Sequence, residues 1–431
     1  MAILILKILG LVAASFVGLY ILRFLFHRPE ITFSLFLFSY VIEGGDMIPG
    51  PIDLTPILLF ISLAGFFLPA VRRNTIQYSS KASDVWLLIF LIVVVGGSYL
   101  SPDSQSGVEK AILFAIAVVL PYMMVRVFFK TYKQIKIFLI TILSLAAGIA
   151  AILIFMSFLP AYTTGRLLFF EANPIPTGTL LAVGLVIAVI GLSSDLLSKN
   201  RQIKTICIAT IPLCLFGMFL SGVQGPLISA ILGLAFYLLI QYIRQPRVWI
   251  SIVGVVLFLL VSFNIWYPSI ASKVPNIRDY GPDAIIKDSS TKQRLERYQA
   301  AIRLFAQKPL LGGGTDSFAQ RTQLDKYPHN IFLEIASENG LIGLLVFFVF
   351  LGSVVRAGFR YLTIHRIRLD PHERSIGLAV LTVSLILLVE KQFSYSLTMH
   401  KELFTFLGII ANLPDLSSSP NVKASKNAVK Q

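Results

Sequence analysis

Charge is what this 431-residue chain has least of: Asp, Glu, Lys and Arg make up 14% of it, against about a quarter in an ordinary soluble protein. A water-soluble globular chain of this length is thereby excluded. Histidine is scarce, with five residues, and cysteine scarcer, with two. Cys207 and Cys214 stand two helical turns apart inside one apolar run. That spacing excludes a disulfide framework or a cysteine metal cluster and leaves two small buried side chains. Acids are outnumbered 22 to 37 by Lys and Arg, for a formal net charge of +15. Sizeable polar segments are also missing, with one exception at residues 268–338.

What is present is apolar. Hydrophobic residues form 56% of the chain and fall in runs of about 20, the number that spans a hydrocarbon layer of roughly 30 Å. Clear examples are 87–100, 111–129, 135–159, 178–192, 203–220, 226–243, 248–266, 341–355 and 376–389. They are apolar all round, whereas a helix on a soluble core shows one apolar stripe. The run 2–22 lacks the basic start and small-residue cleavage site of a signal peptide and reads as a retained span. The fold class expected is an all-α polytopic membrane protein.

Lys and Arg accumulate in cytoplasmic loops of membrane proteins, and here they alternate. One set of loops holds Arg23 and Arg28; Arg72, Arg73 and Lys81; Arg126, Lys130, Lys133 and Lys136; Lys199, Arg201 and Lys204; Arg244 and Arg247; Arg356, Arg360, Arg366, Arg368 and Arg374; and Lys423, Lys426 and Lys430. That set carries 22 of the 37 basic residues and six acids. The intervening loops are acidic or nearly neutral. A nucleic-acid reader would cluster its charge on one surface, so no nucleic-acid partner is expected. The alternation predicts about 12 to 13 spans, the amino terminus outside in the 13-span version and the tail 414–431 in the cytoplasm. The uncertain span is 31–42, which is short; if it is re-entrant the count is 12 and the amino terminus lies inside. In both versions 268–338 is extracytoplasmic. Spans then occupy most of 1–267 and 339–413.

The long loop has internal order. Pro275, Gly281 and Pro282 keep its start irregular. Ser290 with Gln293 fits a capping box, and 292–307 reads as an amphipathic helix with Leu295, Tyr298, Ile302 and Phe305 on its apolar face. Arg294, Arg297 and Arg303 stand off that face, and Pro309 ends the helix. Gly312, Gly313 and Gly314 give a backbone free to take positive φ, either as a plain turn or as one that approaches a ligand. No Gly-Lys-Ser/Thr follows, so this is not a P-loop. His329 follows Pro328, which restrains its backbone, and precedes Asn330 and a short helix 331–338 that Asn339-Gly340 closes before the next span.

The stretch 290–345 resembles the signature region of the O-antigen ligase and polysaccharide polymerase family. The order is Ser290, Arg294, the amphipathic helix, Pro309-Leu310-Leu311-Gly312-Gly313-Gly314, His329-Asn330 and Gly340-Leu341-Ile342-Gly343. Gly165-Arg166 followed by Asn173-Pro174 is similar to that family's arginine and Asn-Pro element on an earlier outer loop. Ser221-Gly222-Val223-Gln224-Gly225-Pro226 is similar to its glycine turn, but Gln224 stands where arginine is common, so no cationic role passes to it. The resemblance implies a GT-C-like membrane glycosyltransferase without a metal or other cofactor. Its donor would be an undecaprenyl-pyrophosphate-linked glycan, its acceptor a glycan or lipid, and its site the periplasmic side of a bacterial inner membrane. Membrane lipids, a chain-length regulator and a flippase would be its partners.

An inverting displacement at an anomeric carbon needs a base for the acceptor hydroxyl and positive charge on the leaving pyrophosphate. His329 suits the base, since an unperturbed imidazole with pKa near 6.5 is largely neutral at about pH 7. Arg166 and Arg294 suit the pyrophosphate, because guanidinium binds phosphate bidentately and stays charged. Asn330, Arg297, Gly313, Gly314 and Tyr298 are the expected substrate-binding residues. Tyr298 would either offer a stacking face or pack in the core. Lys391, His400 and Lys401 lie at the outer ends of the last spans and could line the same cavity. Polymerisation of repeat units is the expected activity, with ligation of finished glycan to lipid A core or another acceptor as the alternative. A transporter would show internal repeats and ionisable residues within the spans; no clear repeat is visible and the spans read as nearly uncharged.

Overall fold

Residues 18–43, 53–73, 78–158, 174–193, 201–221, 223–242, 289–322, 324, 327–364, 371–394 and 396–416 are described in the computed structural model of the chain. Every regular element among them is helical. Lipid offers no water to an open backbone, so a spanning segment must bond its N–H and C=O groups within itself. In order they are α1 (Gly18–His27), α2 (Pro29–Leu37), α3 (Ser39–Glu43), α4 (Leu54–Arg72), α5 (Ala82–Ser98), α6 (Ser104–Phe128), α7 (Tyr132–Ser157), α8 (Pro174–Ser193), α9 (Arg201–Ser221), α10 (Gln224–Tyr242), α11 (Ser289–Gln307), α12 (Ser317–Thr322), α13 (Ile331–Ile364), α14 (Pro371–Glu390) and α15 (Lys401–Leu416). Eight of these are long and apolar enough to cross a membrane, namely α4, α6 to α10, α13 and α14, and α5 is a shorter apolar helix. The protein is an all-α polytopic membrane protein. Most of the run 2–22, and all of 248–266, lie outside the described residues.

The run 31–42 is not one continuous span. It is α2 and α3, broken at Phe38, and nine residues of α2 extend only about 14 Å. Its side chains face protein: Thr32, Phe33, Ser34, Phe36 and Leu37 are all buried, against α4 and α7.

Small residues set the packing of the remaining helices. The most enclosed is α8, buried almost throughout from Pro176 to Gly191 and packed on α7, α9, α10 and α14. Gly184 there meets Ala146 of α7 so closely that a Cβ would overlap it, the close approach by which helices associate in lipid. A second group joins α5, α6, α13 and α15 through Phe90, Phe114, Phe347, Phe350 and Phe404, with the Phe350 and Phe404 rings stacked at 5.9 Å.

Basic loops far apart in sequence meet at one end of the bundle, as the alternation requires. Lys81 pairs with Asp415 at 2.7 Å, Lys81, Arg356 and Arg360 line one small cavity, and Arg72, Arg73 and Lys130 line another. Two charges assigned to loops from sequence are in fact interior. Arg126 and Asp84 are both 1% exposed, and the guanidinium grips the carboxylate at 2.7 and 2.8 Å. Tyr78 and Tyr122 donate to the same carboxylate, and Arg126 also bonds Asn412, which in turn caps the end of α6 through the Val125 and Phe129 carbonyls.

At the opposite end, the glycine turn and the start of a span form one unit. Gly340 breaks α13 with φ 65° and ψ −160°, a conformation almost confined to glycine. The break leaves carbonyls and N–H groups without helical partners, and the segment 309–314 supplies them. Gly313 and Gly314 donate to the Ser337 and Glu338 carbonyls at 2.8 and 2.9 Å, while Leu341 and Ile342 donate to the Pro309 and Leu310 carbonyls at 2.8 and 3.2 Å. Thr315 then ties the turn to α5, donating to the Gly97 and Val94 carbonyls. Gly340→Ala is expected to destabilise the protein by about 3 kcal/mol or more, from the forbidden φ and overlap with the Leu310 backbone. Gly352→Ala in the same helix meets nothing within 4 Å and should stabilise it by up to about 1 kcal/mol. Thermal unfolding in detergent would show the two opposite shifts; two shifts of the same sign would refute this account of the turn.

Candidate functional site

The helix expected at 292–307 exists as α11, starting at Ser289, but its expected faces are rotated. Leu295 and Ile302 are 56% and 55% exposed, whereas Ala300, Ala301 and Leu304 are buried against Phe318 and Leu333. The inward stripe therefore runs Arg294, Arg297, Tyr298, Ala301, Leu304, with the arginines and tyrosine half-buried at its first two turns. Side-chain hydrophobicity misled here because alanines are small enough to let α11 lie close to α13, and that contact fixes the rotation. Only Arg303 stands outward as expected.

Three elements meet at the carbonyl of Gln392, just past α14. Tyr298 donates its hydroxyl to that oxygen at 3.0 Å, and Asn330 donates its amide at 3.4 Å. Burial pushes the Tyr298 phenol above its ordinary pKa, partly opposed by the nearby positive charge of Arg294. Asn330 is also the N-cap of α13, its Oδ1 accepting from the N–H groups of Phe332 and Leu333 at 3.0 Å each. Beside it, His329 has φ 57°, the left-handed region that a non-glycine residue enters rarely. Its ring is half-exposed and packs edge-on to Tyr327 at 4.7 Å. Arg294, Arg297, Tyr298, His329 and Asn330 are thus borne by two elements pinned to one carbonyl.

Beneath them is a buried charge layer, of which the sequence points only to Lys391 and Lys401. Lys110, in α6, lies 2.7 Å from Glu334 and 2.8 Å from Glu338, with Asp316 at 3.7 Å. Glu334 continues the chain of contacts by accepting from Ser396 at 2.6 Å and from the Leu397 N–H at 2.9 Å. Lys391 sits between Glu390 at 2.9 Å and Glu402 at 2.7 Å. Burial disfavours its ammonium, but the two carboxylates outweigh that and hold its pKa well above the ordinary value. Lys401 reaches Ser39 and lies over the rings of Phe36 and Tyr40. Glu334 and Glu338 were readable as an i, i+4 pair on one helical face, but nothing local marked that face as buried. The candidate spans carry few charges, but Lys110, Glu338 and Arg126 are buried. A π-helical turn at Ala115–Val119 follows Lys110, where Pro121 has no N–H to continue the ladder.

Of the other expected residues, Arg166 lies outside the described residues, as do 268–288 and the side chain of Ser290. Gly313 and Gly314 are buried, and their N–H groups serve the break in α13. His400 is fully buried, and neither ring nitrogen finds well-directed hydrogen-bond geometry among the described residues. Burial and the neighbouring Lys391 push its pKa well below the ordinary value, so it is a neutral imidazole. No group of three or more His, Cys, Asp or Glu among the described residues is placed to hold a metal ion.

Residues 209–348 match the family described as O-antigen ligase. Over those residues the chain is similar to the O-antigen ligase family. The match covers about a third of the chain and includes part of α9, all of α10 and α11, the glycine turn, His329-Asn330 and the break at Gly340. Every described element that meets at Gln392, apart from Gln392 itself, therefore falls within the O-antigen ligase match. No curated protein matches the chain.

Proposed function

We propose that this chain is a member of the O-antigen ligase family and a membrane glycosyltransferase that polymerises repeat units carried on a polyprenyl pyrophosphate. The observation that carries the reading is the inward stripe of α11, which sets Arg294 and Arg297 beside Tyr298 and within the same cluster as His329 and Asn330. In the reaction, an acceptor sugar hydroxyl attacks the anomeric carbon of the donor. The bond from that carbon to the pyrophosphate breaks, and the pyrophosphate leaves with the electron pair. His329 accepts the hydroxyl proton, and the configuration inverts. Arg294 and Arg297, joined by Arg166 from the earlier loop, hold the leaving oxygens through charge-assisted hydrogen bonds. The half-exposed His329 fits the base better than His400, which no substrate can reach while it is fully buried. A cavity of about 410 Å³ between α11 and α12, lined by Glu296, Gln299, Arg303, Gln307 and Arg321, offers the amide and charged groups that hydrogen-bond sugar hydroxyls. Polymerisation is preferred to ligation because the Pro328–Glu334 and Gly340–Gly343 segments resemble those of polymerases. The charge alternation favours the extracytoplasmic face for the site, and the family resemblance favours a bacterial inner membrane.

The test uses purified protein and lipid-linked repeat units alone. A ladder of longer products is expected. Product only after a second acceptor is added means ligation, and no product under either condition removes the enzyme reading. Arg294→Ala should lower the rate by about 10²–10³ without loss of folded protein.

A further inference from the structure

A cavity of about 870 Å³ lies at the basic end, far from the cluster at Gln392, between the α1–α2 turn, the end of α4 and the α6–α7 turn. Its lining includes the cations Arg72, Arg73 and Lys130, with Glu30 as the one acid. Two other cations at this end are neutralised, Lys81 by Asp415 and Arg126 by Asp84, both at 2.7 Å. Among the described residues no carboxylate pairs with Arg72, Arg73 or Lys130. Lys130 is held at the wall by donating to the Arg126 carbonyl at 2.7 Å, and burial together with the Arg126 charge pushes its pKa below the ordinary value. The positive-inside tendency accounts for basic residues at this end, but it does not require a hollow between unpaired ones.

The remaining walls are apolar. Phe66 and Phe128 stack at 5.2 Å and 8° between planes, and both line the cavity with Phe26 and Leu68. Gly65 forms part of the floor, where a Cβ would crowd the Phe26 carbonyl and Pro29. Next to the cavity α4 is apolar and open: Phe67 is 48%, Leu68 55% and Val71 50% exposed. A soluble anion would use the three cations only. A lipid would use both the cations and the ring-lined wall that continues onto an exposed apolar helix face.

We infer that this cavity binds an anionic phospholipid, its headgroup phosphate on Arg72, Arg73 and Lys130 and an acyl chain along Phe66, Leu68 and Phe128. Such sites between spanning helices are a recurrent form of headgroup recognition. The inference is independent of the transfer reaction.

The experiment is native mass spectrometry of the full chain in zwitterionic detergent, titrated separately with phosphatidylglycerol, phosphatidylcholine and inorganic phosphate. Phosphatidylglycerol should be retained in preference to phosphatidylcholine, and inorganic phosphate at the same concentration should not displace it. The variant carrying Arg72→Gln, Arg73→Gln and Lys130→Gln should lose that preference by on the order of a hundredfold, and each single change by about fivefold. Because these side chains are exposed and no carboxylate among the described residues pairs with them, the single variants keep the test decisive if the triple variant is unstable. Leu68→Asn should also weaken phosphatidylglycerol retention. Equal retention of the two lipids, or an unchanged preference in the single variants, overturns the site. Displacement by inorganic phosphate makes it a free-anion site and overturns the lipid.

Discussion

His329→Asn is expected to lower glycan transfer by about 10²–10⁴, the usual contribution of a positioned general base, while the protein remains folded. Asparagine is the informative replacement because it enters the left-handed region more readily than most non-glycine residues. It therefore keeps the backbone at φ 57° and removes only the basic nitrogen. His329→Ala would mix the two effects, since alanine would strain the turn that places Asn330 as the N-cap of α13. Initial rates on lipid-linked repeat units should show the loss in kcat with KM little changed, because the base acts on the acceptor proton in the transition state. Unfolding midpoints of variant and parent should agree. A His329→Asn protein that transfers glycan within about threefold of the parent would place the base elsewhere, with His400 the next imidazole to replace.

Lys110→Met should have the largest effect on stability. Lys110 is 7% exposed and sits between Glu334 and Glu338, which are 1% and 2% exposed. Removing the cation leaves two carboxylates facing one another without a counter-charge. Breaking a buried pair in this way costs about 3–5 kcal/mol, whereas replacing the whole group by neutral residues of similar size is often near neutral. The combination of Lys110→Met with Glu334→Gln and Glu338→Gln should therefore recover most of the loss. Denaturant or thermal unfolding in detergent measures both. A single-variant loss under about 1 kcal/mol, or a triple variant no better than the single, would show that the cluster does not act as an ion network. The helix that carries Glu334 and Glu338 also begins at the Asn330 cap, so the surviving folded fraction should transfer glycan poorly.

Much of the molecule was legible without coordinates. Apolar runs of the right length announced helices such as α7 and α9, the basic residues announced which loops share an end, and Pro309, Asn330 and Gly340 announced where elements start and stop. These are local signals, carried by a residue and its near neighbours. The errors were of one kind. Leu295 and Ile302 looked like the buried face of α11, and Arg294 and Arg297 looked like its solvated face, because hydrophobicity was the sole guide. The run 31–42 stayed open between a short span and a re-entrant segment, because its break at Phe38 leaves no glycine or proline mark.

The sequence by itself determined that the chain is a bundle of membrane helices, and it set Arg294, Arg297, the glycine turn and His329-Asn330 in one polar stretch. Tertiary structure decided what those pieces do. Lys110 and Glu338 are 228 positions apart, and Tyr298 and Asn330 reach Gln392 from 94 and 62 positions away. Contacts at such separations depend on which helices pack together, and packing is settled by shape and by the need to pair every buried charge. For that reason composition showed a weakly charged chain, while only the fold showed that its few charges converge beneath the loop.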